Sequence, residues 1–278
     1  RTQDFHSCNT GSSPVGVTIK IFSKLINFCI MHLSIIIPVF NEIKLLPKIL
    51  FKLVRDTKKI NKEIIIVDDS SNDGTKDWLQ KINSKFNFIS IKKNKLCFSK
   101  KKKKNLKIIL KNKNEGKGSA VIIGLKNISN NVIVIQDSDL EYMPRDLNKM
   151  FNIIKNNNAD IVYGNRFSSK KNKYHYLFFA IGNYILSSLV SILFKVKVSD
   201  TAVCYKMFSK KVIKNLSFYS KDFNFDFEFT SKILKNKKWR FKEIDIVYQG
   251  RTFEEGKKIS WIDGIRALVV ILKVKFFS

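Results

Sequence analysis

Two carboxylates one residue apart, Asp137 and Asp139, stand at the end of the apolar run Val132-Ile-Val-Ile-Gln136. Side by side they repel each other and lose solvation, so they need a positive partner. A divalent cation suits hard oxygen ligands, and Mg²⁺ or Mn²⁺ can be shared with substrate phosphates. An isolated Asp-x-Asp pair can equally cap a following turn. What tilts the reading is the company the pair keeps: Glu141 two residues on, and other polar strand ends elsewhere in the chain.

A second such place is Asn114-Glu-Gly116-Lys117-Gly118-Ser-Ala120. Glycines let a backbone approach closely, a helix N-terminus attracts phosphate, and Lys117 adds charge. The spacing is neither that of a Walker loop nor that of a dinucleotide fingerprint. Arg166 follows another apolar run, Ile161-Val-Tyr-Gly-Asn165. Asp226 and Glu228 open a helical stretch reaching Lys235, where either could act as a base or simply cap the helix.

These groups need a scaffold that brings them together. The run Val132–Gln136 is short, β-branched and unbroken, as befits a strand buried on both faces of a parallel sheet. Leu33–Ile37, ended by Pro38, and Glu63–Val67 read the same way, with helical patterns after each. The opening is therefore β-α-β-α, an α/β fold with right-handed crossovers. In such sheets ligands bind beyond the carboxyl ends of the strands, where the Asp pair sits. Phe88–Ile91 and Lys107–Leu110 also read as strands, with Lys100 to Lys104 as a solvated loop between them. Helices are expected from about Arg145 to Lys155 and from Trp261 to Lys273, and a strand over Arg240–Tyr248.

Tyr174 to Phe194 runs 21 residues without Asp, Glu, Lys or Arg. Its length would span a bilayer. Its His, Asn and Ser residues instead favour helices at a membrane surface or around an apolar substrate, with a buried core helix equally open. Residues 1–30 are polar and aperiodic in their first half and read as an upstream extension, with Met31 as the expected start and no signal peptide.

The net charge is +29, yet only seven of the 52 basic residues are Arg, the usual reader of guanine and phosphate. No nucleic-acid-binding signature accompanies the charge, so a nucleic-acid partner is not expected. A basic surface does favour anionic lipid and anionic substrates. Four scattered cysteines form no metal-type pair and fit a reducing compartment.

PVFNE (38–42), VDDSSNDGT (67–75), NEGKGSA (114–120), DSDLEYMP (137–144), GNRF (164–167), DTAVCYKMF (200–208) and GRTFEEGKKISWIDG (250–264) occur in that order. Together they resemble family 2 of the inverting GT-A glycosyltransferases, most of all the dolichol-phosphate mannosyl- and glucosyltransferase group. The resemblance covers nearly everything from Met31 onward. It implies a single GT-A (Rossmann-like) domain over 31–278 with a mostly parallel sheet, and acceptor-side helices around 174–194 and 261–277. It also implies a nucleotide-sugar donor. Pro38, Phe40 and Glu42 would border the nucleoside, Asp69 would face base or ribose, and Lys117 and Ser138 would adjoin the donor. Asp137, Asp139 and Glu141 match metal-holding positions for Mg²⁺ or Mn²⁺. Arg166, Arg251 and Lys257 match residues that grip phosphate, and Asp137, Asp139, Arg166 and Asp226 form the catalytic set. Glu141 stands where Gln is frequent, and Cys204-Tyr205 where many relatives have Gly-Phe.

The expected reaction is transfer of one sugar to a polyprenyl phosphate at the cytoplasmic face of a membrane, to which the protein binds peripherally. Such an acceptor is already anionic and needs no base. A polysaccharide or glycolipid hydroxyl is the alternative acceptor, and it would need Asp226 or Glu228 to take its proton.

Overall fold

β-Branched runs too short for helices build the centre of the molecule. The computed structural model describes residues 31–168, 172, 176–252, 254 and 261–277. In it, β1 (Leu33–Val39) is buried at every position. Helix α1 (Leu46–Asp56) turns Leu46, Ile49, Leu50 and Leu53 inward, the spacing of one helical face. Next come β2 (Lys62–Asp68), α2 (Thr75–Asn83), β3 (Phe88–Lys92), β4 (Lys95–Ser99), β5 (Leu106–Leu110) and α3 (Lys117–Lys126). The second half contains β6 (Val132–Ile135), α4 (Asp146–Lys155), β7 (Ile161–Asn165), α5 (Leu177–Phe194), β8 (Lys206–Ser209), α6 (Phe225–Lys235), β9 (Phe241–Asp245) and α7 (Trp261–Phe277).

Seven of these strands form one sheet in the order β5-β2-β1-β6-β8-β7-β9. β1 runs parallel to β2 and β6, β2 to β5, and β7 to β9. β8 alone is reversed, antiparallel to both β6 and β7. The carboxyl ends of β1, β2, β6 and β7 therefore share one edge, and the loops that leave it carry the acidic and basic residues singled out above.

Three expectations need correction. Pro38 does not end β1 but lies inside it, paired with Val67. This is tolerated because β6 pairs with β1 only as far as Ile36, so the missing Pro38 N–H faces a position that β6 has already left. Phe88–Ile91 is a strand, yet it stays out of the main sheet. It pairs with β4, unforeseen from the sequence, through a tight turn at Lys93 and Asn94 with φ of 47° and 56°. The strand expected through Tyr248 stops at Asp245, and Tyr248 makes only an isolated bridge to Tyr142. Lys100 to Lys104 are exposed, as a solvated loop should be.

α5 packs against α6 and α7, but it is no core helix. Phe178 is 72% and Ile192 73% exposed, and Ile181, Tyr184 and Ile185 are exposed with them. α7 likewise exposes Trp261, Ile265, Val269 and Phe276. Among the described residues no helix is long and apolar enough to cross a membrane.

α3 lies directly on β1: a Cβ added at Gly124 would stand 2.4 Å from Cγ2 of Ile36. Alanine there would gain ~1 kcal/mol of helix propensity, against an overpacking cost of ~1–3 kcal/mol. Ile36 is β-branched on a central strand and has little room to turn away. Gly124→Ala is therefore expected to lose about 1 kcal/mol or more. Gly182→Ala on α5, with nothing within 4 Å, should instead gain up to ~1 kcal/mol. Urea denaturation of the two variants checks this; a stabilised Gly124→Ala would contradict the seating of α3.

Candidate active site

β6 ends at Ile135, and Gln136 turns the chain into the acidic loop. The Gln136 amide is buried; it accepts from the Tyr205 hydroxyl at 2.7 Å and donates to the Asp137 carbonyl at 2.9 Å. Leu140 takes a left-handed φ of 64°, and the Glu141 N–H donates back to Asp139 at 3.2 Å. The Ser138 hydroxyl donates to the Pro38 carbonyl at 3.3 Å, tying the loop to the end of β1.

Each carboxylate of this loop has its own cation or donor. The Lys117 ammonium lies 3.0 Å from Asp137 and 3.4 Å from Asp226. Asp226 is also paired with the fully buried Lys206 at 2.5 Å. Arg251 bridges Glu42 at 3.1 Å and Asp139 at 3.2 Å. Glu141 accepts from the Arg251 N–H at 2.8 Å and the Tyr248 hydroxyl at 3.1 Å, so both its oxygens anchor the loop after β9.

Two further clusters flank the acidic loop. Asp69 accepts from the Gly116 N–H at 2.7 Å, from the Glu115 N–H and from the buried Lys111 ammonium. The Ser119 N–H donates to the Lys221 carbonyl at 2.9 Å. The start of α3, expected to await phosphate, thus already serves Asp69 and the 220–222 loop. On the other side, Arg166 grips the fully buried Asp200 through Nε at 2.6 Å and Nη2 at 2.8 Å, and lies over the Tyr248 ring at 5.0 Å. Asn183 of α5 donates to the same Asp200 at 2.8 Å.

A cavity of about 410 Å³ lies between these clusters. Pro38, Phe40, Glu42, Asp69, Lys117, Asp137, Ser138, Asp139, Glu141, Arg166, Asp226 and Arg251 all line it. Lys257 lies outside the described residues. Tyr176, Phe179, Ala180 and Asn183, at the start of α5, also line it and are mostly apolar. Sequence reasoning missed Lys111, Asp200 and Lys206. For Lys206 a signal did exist, a single Lys inside the apolar run Val203–Phe208.

The electrostatics follow from burial and spacing. Burial pushes Asp139 up to about 8, Asp137 and Glu141 push the same way, and Arg251 opposes them. For Lys117 burial favours the neutral form, but Asp137 and Asp226 outweigh it and hold the ammonium protonated. Asp226 is lowered: burial would raise it, and Lys117 and Lys206 more than reverse that. Lys206 itself is lowered by burial, against Asp226.

The sequence model of "Glycosyl transferase family 2" matches residues 34–217, two-thirds of the chain. The chain belongs to glycosyl transferase family 2. Dolichol-phosphate mannosyltransferase of Pyrococcus furiosus is 33% identical over 137 residues, 49% of this chain and 34% of that one. Undecaprenyl-phosphate 4-deoxy-4-formamido-L-arabinose transferase of Pectobacterium atrosepticum is 29% identical over 123 residues, 44% of this chain and 33% of that one. The match spans about a third of the length of each of these relatives. In three dimensions the chain is similar to glucosyl-3-phosphoglycerate synthase of Mycobacterium tuberculosis, in complex with Mn²⁺, UDP and phosphoglyceric acid. The TM-score is 0.64 at 12% identity, over 91% of this chain and 81% of that one. The fold of this family 2 glycosyltransferase is GT-A, as its motifs implied.

Mn²⁺ or Mg²⁺ accompanies UDP in structures of that synthase, and the donor set here suits such an ion. Around the acidic loop, Lys117 pairs with Asp137, and Arg251 with Glu42 and Asp139, while Asp200 neutralises Arg166 and Lys206 pairs with Asp226. Among the described residues the carboxylates of this loop outnumber the cations paired with them, a balance that suits a divalent cation. Among the described residues no three acidic, His or Cys side chains converge as a ready-made cage. That is compatible with Mg²⁺ chemistry, in which one or two carboxylates suffice and phosphate oxygens complete the shell.

Glu228 does not line the cavity. It is fully buried, accepts from the Tyr219 and Ser220 N–H groups and pairs with Lys232 at 2.6 Å, so it shapes the loop before α6.

The Arg166–Asp200 pair offers a direct test of the site's frame. Asp200→Ala would strand a guanidinium whose side chain is only 13% exposed. Breaking such a pair costs ~3–5 kcal/mol, to be read as a lowered denaturation midpoint. A loss below ~1 kcal/mol, the scale of an exposed pair, would show that Arg166 does not depend on Asp200.

Proposed function

We propose that this family 2 glycosyltransferase moves one sugar, with inversion, from a nucleotide-diphosphate donor to a polyprenyl phosphate, working peripherally on the cytoplasmic face of a membrane. The observation that carries the reading is the mixed lining of the cavity, where Asp137, Asp139, Lys117 and Arg251 stand beside Tyr176 and Phe179. In the same turns of α5, Phe178, Ile181, Tyr184 and Ile185 face outward, exposed. A cavity lined by both charged and aromatic side chains suits an amphiphile with a phosphate head. The Pyrococcus and Pectobacterium relatives are named for dolichol phosphate and undecaprenyl phosphate.

Asp137 and Asp139 would hold the divalent cation, which when bound neutralises charge on the leaving diphosphate. Lys117 and Arg251 are close enough to exchange their carboxylate partners for phosphate oxygens as the donor enters. Pro38 and Phe40 supply an apolar flank for the nucleoside. The acceptor phosphate attacks the anomeric carbon as an anion, so no proton has to be removed. This agrees with Asp226, whose carboxyl two ammonium groups hold below its usual range against the effect of burial, which makes it a poor base. A hydroxyl acceptor lacks that support, since Glu228 faces away from the cavity.

On the outer side, α7 interleaves exposed Ile265, Val269 and Leu272 with Arg266 and Lys273. Apolar burial and attraction to anionic headgroups then add.

Asp139→Ala is expected to abolish sugar transfer with an unchanged circular dichroism spectrum, because the side chain belongs to the loop after β6 and not to the apolar core. The assay supplies Mn²⁺, polyprenyl phosphate and GDP-mannose, UDP-glucose or UDP-N-acetylglucosamine. Undiminished product with saturating metal would sink the metal-site reading. The protein should also float with anionic liposomes at low salt and less so at high salt. If it stays at the bottom of the gradient in both, a soluble hydroxyl acceptor becomes the better reading.

A further inference from the structure

Asp226 has two cationic partners, and they are not equivalent. Lys206 is completely buried on β8, 2.5 Å from Asp226 Oδ1; it also donates to the Val203 carbonyl and lies 5.4 Å from the Tyr163 ring centre. No ligand can reach it. Lys117 is the outer partner, 3.4 Å from Asp226 Oδ2, shared with Asp137 and part of the cavity wall. A buried carboxylate left without a cation is costly. If Lys117 were the sole partner of Asp226, an incoming phosphate would have to compete with that cost in full. With Lys206 in place, Asp226 stays paired when Lys117 leaves.

We propose that Lys206 is a positioning residue: as the permanent counter-ion of Asp226, it frees Lys117 to turn from Asp226 to the diphosphate of a bound donor. Asp226 in turn only competes with the diphosphate for Lys117 and takes no proton in the reaction. The inference rests on reading the cavity as a nucleotide-sugar site.

UDP and GDP, each with Mn²⁺, are titrated calorimetrically into the wild type, Lys206→Met, Asp226→Asn and the double variant, with thermal midpoints recorded alongside. Lys206→Met should bind the preferred nucleotide roughly tenfold more weakly, the scale of one charge-assisted hydrogen bond. Lys117→Ala should weaken the wild type by a similar factor and leave Lys206→Met almost unchanged, because that lysine is already held back. Adding Asp226→Asn to Lys206→Met should restore affinity, since an amide makes no demand for a cation. Asp226→Asn alone should bind nucleotide more tightly than the wild type.

A folded Lys206→Met with wild-type affinity overturns the proposal and leaves Lys206 a structural group. So does a double variant that stays weak. Should Lys206→Met fail to fold, Asp226→Asn still decides by sign: weaker binding would mean that Asp226 anchors Lys117 for the ligand, the opposite of the proposal. A wild type that binds neither nucleotide overturns the nucleotide-sugar reading and this inference with it. Normal wild-type binding without the variant pattern overturns this inference alone.

Discussion

The accumulation of negative charge at one edge of the sheet is the constraint around which the molecule is built. Glu42, Asp69, Asp137, Asp139, Glu141 and Asp226 line a single cavity, and carboxylates so placed raise one another's energy unless cations stand among them. Four do. Lys111 follows β5, Lys117 opens α3, Lys206 lies on β8 and Arg251 follows β9. Because they come from four separate parts of the chain, the acidic edge is tolerable only once the whole sheet has closed. The local cost of the site is thereby tied to global folding. The part of the charge that remains unbalanced lies around Asp139, where a metal-bearing donor would enter.

The reversed strand makes this balance possible. A parallel strand between β6 and β7 would send its carboxyl end to the site and its beginning to the far edge. β8 runs the other way, so the residues that lead into it, from Asp200 through Cys204 to Lys206, arrive at the catalytic edge. They bring the carboxylate that fixes Arg166 and the ammonium that fixes Asp226. Tyr205, between them, fixes Gln136 at the root of the acidic loop. One change of direction delivers three supports.

Much of this was legible in the residues. Buried parallel strands announce themselves as β-branched runs, and the chemistry of the loops follows from where such runs end. That is why the placement of Asp137, Asp139 and Arg166 beyond strand ends could be read beforehand. What sequence could not convey was pairing. Phe88–Ile91 has the composition of a sheet strand, and nothing in it says that Lys95–Ser99 will fold back on it. The start of α3 carries the glycines and lysine of a phosphate site, yet its amides go to Asp69 and the 220–222 loop, partners distant in sequence. Glu228 and Asp226 sit two residues apart at the start of a helix, and only the packing separates a loop anchor from a cavity wall.

α5 illustrates the same limit and connects the site to its surroundings. Asn183, Ser187 and Ser191 recur every four residues and so share one face. In a soluble helix that face would point to water. Here it points inward: Asn183 bonds Asp200 and the Ala202 N–H, Ser187 accepts from the Thr201 N–H at 2.9 Å, and Ser191 both accepts from and donates to Val198. The apolar residues Phe178, Ile181, Ile185 and Ile192 are turned outward instead. Apart from Val190 and Phe194, which are buried, the helix departs from the usual rule of apolar inside and polar outside. Its buried polar stripe holds the very segment that presents Asp200 to Arg166, so displacing α5 would disturb the basic wall of the cavity. Its outer face, by contrast, is mostly apolar, with Phe178, Ile181, Ile185 and Ile192 exposed beside Tyr184. That arrangement suits the amphiphilic acceptor proposed above, since an apolar outer face beside a charged cavity gives the lipid portion a place to rest.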